Sequence, residues 1–140
     1  MARVARPGGI VAAYVWDYAE GMQMMRHFWD AAVVTNPAAS DLDEARRFPI
    51  ADLVALRGLF ERAGMQQTDT IAIDVPTVFA NLDDYWRPFL GGTGPAPAHV
   101  QSLSEAARLE LREELRTRLP VKPDGTIALI ARALAIRAAA

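Results

Sequence analysis

The sequence contains no cysteine and one lysine, Lys122, so fourteen of its fifteen cationic side chains are arginine. Without a thiol, neither a disulfide framework nor a cysteine-based zinc site can hold the fold. Histidine is almost as scarce. His27 and His99 are the two present, and neither sits in an H-x-x-x-H or H-E-x-x-H arrangement, so no metal motif is found. Excess charge of one sign is also missing: the net charge is −2 over 140 residues, too weak a field to hold nucleic acid or an anionic membrane. No apolar run approaches the roughly 18 residues a membrane helix needs. Arg3 and Arg6 ahead of Ile10 to Trp16 imitate a secretory signal, but Pro7-Gly8-Gly9 interrupts it and Asp17 ends it. No small-residue cleavage site follows, which predicts a cytoplasmic protein.

What is present fits one compact domain spanning 1–140. The chain is 51% hydrophobic and 23% charged, with 9 Gly and 9 Pro, and shows no internal repeat or dividing linker. At this length roughly two thirds of the unfolded surface is buried on folding. A core therefore needs no staple. The arginine bias suggests a GC-rich bacterial genome.

Hydrophobic patterning predicts the elements. Ile10 to Trp16 is a continuous apolar run, which predicts a strand buried on both faces. Asp17 with Glu20 predicts a capped helix from about Tyr18 to Val33, with Met22, Met25, Phe28, Trp29 and Ala32 on its apolar face. The polar stretch 35–48 reads as a surface loop or short helix. A second amphipathic helix spans about Ile50 to Ala63, with Gly64 in the helix-ending position. Thr70 to Phe79 alternates as a half-buried strand does, and Pro76 assigns it to a sheet edge or a bend. Residues 81–97, aromatic and then rich in Gly and Pro, read as a structured loop. Ser102 and Glu105 form a capping box for a helix to about Arg118, with Leu103, Ala107, Leu111 and Leu115 in one stripe. Thr126 to Arg137 is ambiguous: its alanines favour helix, whereas the Asp124-Gly125 turn and alternating Ile127 and Leu129 favour strand.

Several groups could carry chemistry, each beside a plainer reading. His27 is a candidate general base or a residue flanking an amphipathic stripe. Met22, Met24 and Met25, just before Phe28 and Trp29, make either a soft ligand surface or ordinary core. Asp83-Asp84 before Tyr85-Trp86-Arg87-Pro88-Phe89 offers a cation site or a helix cap beside an aromatic anchor. Gly91-Gly92-Thr93-Gly94 lacks the Lys and Ser/Thr of a phosphate loop, and the following Pro95-Ala96-Pro97 argues against the helix start such a loop requires.

Taken in order, Arg6-Pro7-Gly8-Gly9, an apolar strand ending in Trp16-Asp17, a helix ending in Ala63-Gly64, two further strands and a loop-rich insertion resemble one family. It is the class I S-adenosylmethionine-dependent methyltransferases, of the small-molecule type related to the ubiquinone and menaquinone methylases, and the likeness is to their C-terminal half. Tyr14-Val15-Trp16-Asp17, Asp84 to Phe89 and Gly92-Thr93-Gly94-Pro95 resemble a bacterial subgroup more closely. The resemblance implies an α/β fold: a partial Rossmann-like sheet, mixed parallel and antiparallel, with packed helices. Residues 10–16 would be its fifth strand, about 69–79 its sixth and about 126–137 its seventh, the last lying beside the fifth. The helix at 50–63 would be the crossover. Trp16 and Asp17 would then face the reaction crevice, and Met25, Trp29, Tyr85, Trp86 and Phe89 would belong to elements that cover it on the substrate side. The resemblance identifies no catalytic residue.

The family holds its donor with a Gly-rich turn after the first strand and an acidic residue ending the second. The sequence has no such first half. No residue for S-adenosylmethionine carries over, and the chain alone is not expected to bind it. The resulting expectation is a truncated methyltransferase-like protein for a small-molecule acceptor, inactive alone. The alternatives are a stand-alone dimeric module binding a hydrophobic ligand or partner, and an obligate subunit of a split methyltransferase. An unpaired apolar edge on residues 10–16 predicts association, as a homodimer or with a complementary half.

Overall fold

The computed structural model describes residues 4–140. Arg3, the first cation of the signal-like start, lies outside the described residues. Three strands, β1 (Ile10–Trp16), β2 (Gln66–Phe79) and β3 (Ile127–Ala139), form one sheet in the order β1-β3-β2. The last strand is thus central and stands beside the first, as the resemblance implies. Every pairing among the described residues is antiparallel. This corrects the expected mixed sheet: β1 and β2 run the same way, but β3 separates them and no parallel ladder forms. β2 is an edge strand, where Pro76 is tolerated because one side has no ladder to complete.

The ambiguous run 126–137 is strand. Two neighbouring strands offer its backbone ladders on both sides, which outweighs the helix preference of its alanines. Paired residues share a face, so Phe79, Ile127 and Leu129 lie on the same face as Tyr14, Ile71, Ile73, Ala133 and Ala135. Four helices cover one end of that face: α1 (Gln23–Thr35), α4 (Leu82–Leu90), α5 (Pro95–Ser102) and α6 (Glu105–Arg118). Their core joins Phe28, Trp29, Phe89, Leu111 and Leu115 to Phe79, Ile127 and Leu129. The opposite face carries Val11, Leu134, Ile136 and Ala138, packed by Leu56 and Phe60 of α3 (Leu53–Arg62). Arg57 of α3 donates to the Thr68 carbonyl and the Thr70 hydroxyl, each at 3.0 Å, tying the crossover helix to β2.

β1 is therefore not buried on both faces. Val11 is covered by α3, but Ile10 and Tyr14 are 69% and 70% exposed, because no helix reaches that end of the other face.

Several element boundaries also differ from the sequence reading. α1 begins at Gln23, not Tyr18, because residues 17–22 stay tied to β3. The Asp17 amide donates to the Arg132 carbonyl at 2.9 Å, and the Arg132 amide donates to the Gly21 carbonyl at 2.9 Å. A 3-10 turn (Pro37–Leu42) and the short α2 (Glu44–Arg47) follow α1. The stretch 81–97 is largely helical rather than a loop. Asn81 accepts from the Asp84 amide and Asp84 accepts from the Ala80 amide, both at 3.0 Å, a reciprocal cap that starts α4. The Asp83-Asp84 pair is thus a helix start, with Asp83 bound to Arg112 of α6. α5 begins on Pro95, since first-turn amides need no intrahelical partner and proline is at home there. Ser104, not Ser102, caps α6, accepting from the Ala107 amide at 3.3 Å, while the Ser102 hydroxyl donates to the His99 carbonyl at 2.7 Å. Leu111 and Leu115 are fully buried as the stripe requires.

Candidate binding pocket at the end of strand β1

β1 ends at Trp16, where the chain turns across β3. Gly21 makes the turn possible: a Cβ there would overlap that of Arg132 and stand 2.6 Å from the Asp17 carboxylate. The Asp17 carboxylate accepts from the Glu20 amide at 3.1 Å, and the Asp17 carbonyl accepts from the Met22 amide at 2.7 Å. At the start of α1, the Gln23 side chain accepts from the Ile130 amide at 2.7 Å. These bonds hold Trp16, Tyr18 and Met22 at one rim.

A pocket of about 320 Å³ opens at that rim. Trp16 and Tyr18 come from the end of β1 and its turn, and Met22, Met24 and Met25 from the start of α1. Glu44 comes from α2, Pro88 and Phe89 from α4, and Thr93, Gly94, Pro95 and Pro97 from the approach to α5 and its first turn. Its volume is at the lower end of small-molecule sites, and its lining is apolar apart from a few polar groups, as such sites usually are.

Of the substrate-side residues expected from the resemblance, the pocket gathers Trp16, Met25 and Phe89. Tyr85 is fully buried behind it, donating its hydroxyl to the Met24 carbonyl at 2.7 Å and so fixing α4 to α1. Burial pushes the Tyr85 hydroxyl pKa well above the usual range. Trp29 and Trp86 are core residues, and Asp17 belongs to the turn rather than the lining.

The charged group on the pocket wall is one the sequence reading passed over. Glu44 is 5% exposed and accepts a hydrogen bond from the Trp29 indole N–H. Burial is the leading cause holding its carboxyl pKa above the ordinary range, opposed by hydrogen bonds from its own amide and from Trp29. Burial likewise raises the Tyr18 hydroxyl, and Glu44 adds to that rise. Asp43 next door is engaged elsewhere: it pairs with Arg26 at 2.6 Å and caps α2 through the Ala45 amide at 2.9 Å. A sequence signal for Glu44 existed only in the aspartate before it, which marks a helix start and does not reveal that the next side chain turns inward.

Both histidines have pKa values lowered chiefly by burial. His99 is 5% exposed, 5.9 Å from the Trp29 ring, and its Nε2 has no hydrogen-bond partner among the described residues. No group of three or more possible metal ligands occurs among the described residues, and no helix there is long and apolar enough to cross a membrane.

The Gly-rich segment 91–94 leads directly into α5, but Pro95 and Pro97 remove two first-turn amides there. That helix start is a poor cradle for a carboxylate or phosphate. Compared with protein-family models and with curated proteins, the chain matches none.

Proposed function

We propose that these residues form the acceptor side of an S-adenosylmethionine-dependent methyltransferase-type domain, with the pocket beside Trp16 receiving a small molecule. The observation that carries this reading is the position of that pocket at the carboxyl end of β1, the end at which the mostly parallel sheets of that family place their ligands. The insertion of β3 between β1 and β2 supports it further. Donor binding belongs, on this reading, to residues other than these. Methyl transfer requires donor and acceptor to be aligned and water excluded, so the acceptor side alone contributes little rate.

Calorimetry tests the division of labour. The expected result is no heat with S-adenosylmethionine and the purified chain, and binding once a polypeptide carrying a Gly-rich donor half is added. Tight binding by the chain alone would refute the reading.

A second reading, a dimeric binding module, is favoured by the uncovered part of the sheet. Tyr14, Ile71, Ile73, Ala133 and Ala135 line an open depression of about 790 Å³, and the far edge of β1 carries no charge to discourage strand pairing. A second copy pairing along residues 10–16, or a complementary methyltransferase half, would occupy this region. Light scattering at tens of micromolar decides whether copies associate: a mass of 15.3 kDa, that of a monomer, counts against the homodimer.

A further inference from the structure

We infer that the pocket beside Trp16 binds a small, largely apolar molecule through one cationic nitrogen, with Glu44 as its counter-ion. The inference rests on the acceptor-side reading of the same pocket and adds the class of molecule.

Glu44 is the charged side chain among the lining residues, and it is almost completely enclosed. Arg47, one turn along α2, acts on that charge only through space, without an ion pair among the described residues. Arg26 is committed to Asp43 at 2.6 Å and to Asp30 at 2.9 Å. No ion pair to Glu44 is formed among the described residues, and its side-chain partner is a neutral indole N–H. A buried carboxylate with a neutral partner is costly, and a matching cation relieves that cost. The raised carboxyl pKa is the electrostatic counterpart of the same arrangement.

The remaining walls determine which cation fits. A hydrated metal ion needs several oxygen ligands, and one carboxylate amid thioethers and prolines does not supply them. The Trp16, Tyr18 and Phe89 rings and the three methionines instead suit an organic cation, whose nitrogen meets the carboxylate while its apolar body lies on rings and sulfur.

Benzylamine, benzyl alcohol and toluene differ at one group and serve as probes. In an isotope-labelled full chain, the Trp29 indole N–H reports on Glu44 and the methionine methyls report on the walls. Near neutral pH, benzylamine is expected to bind about tenfold tighter than benzyl alcohol, and Glu44→Gln should remove the difference. Equal binding of amine and alcohol by the unaltered chain overturns the inference and leaves the acceptor-pocket reading standing. No response to any probe overturns both.

Should Glu44→Gln not fold, the pH dependence of the unaltered chain decides. The charged and titratable groups that act on Glu44 are Asp43 and Arg47 on α2 and Tyr18 before α1; Arg26 of α1 is bound to Asp43 and Asp30, and His99 of α5 packs 5.9 Å from the Trp29 ring. As pH falls and Glu44 takes up a proton, the preference for the amine should fade while alcohol binding holds. A preference that persists unchanged on acidification overturns the inference.

Discussion

Two ends of one sheet face differ in almost everything except their strands. At one end Phe79, Ile127 and Leu129 lie beneath α1, α4, α5 and α6, all less than a tenth exposed. At the other, Tyr14, Ile71 and Ile73, on the same face by register, are 70%, 62% and 45% exposed. Alternation along a strand assigns a residue to a face, but whether that face is covered depends on segments far away in sequence. The small-molecule pocket lies toward the covered end, where helices converge to build walls. The bare end offers breadth without enclosure, which suits a protein surface better than a small ligand.

The largest effect that tests this contrast is a cavity cut under the helices. Leu111→Ala is expected to cost about 2–5 kcal/mol in denaturant unfolding, because Leu111 is fully enclosed and its truncation leaves a cavity. Next comes Gly21→Ala. Its new Cβ has no room between Arg132 and Asp17, so a loss of about 1–3 kcal/mol is expected, together with shifts in the Trp16 and Met22 signals. The smallest effect belongs to the bare end: Ile71→Ala should change monomer stability by less than about 1 kcal/mol. If Ile71→Ala costs as much as Leu111→Ala, the two ends are not different and the account of the open face fails.

Much of the fold was legible because its signals were local. The edge-marking Pro76 and the Leu111–Leu115 stripe report their own place in the structure, and the apolar run Ile10 to Trp16 reports a strand, though not the burial of both its faces. The run 126–137 was not legible from its own residues, since alanine favours helix and only flanking ladders make it strand. Helices α4 and α5 were missed because proline and glycine were weighed as breakers. Their caps depend instead on Asn81 and Asp84 answering each other, and on Pro95 occupying a position that needs no amide. The site was half legible. Trp16, Met25 and Phe89 share a wall, whereas Trp29, Tyr85 and Trp86 stand behind it as core. Glu44 was invisible because its burial depends on α2 folding back against Trp29, fifteen residues earlier in the chain.

The most direct test of this account asks which end of the sheet takes a small cationic ligand. Intermolecular NOEs from bound benzylamine should reach the methyl groups of Met22, Met24 and Met25, and none should reach Ile71 or Ile73. Contacts to Ile71 and Ile73 with silent methionines would place the ligand on the open face and contradict the account.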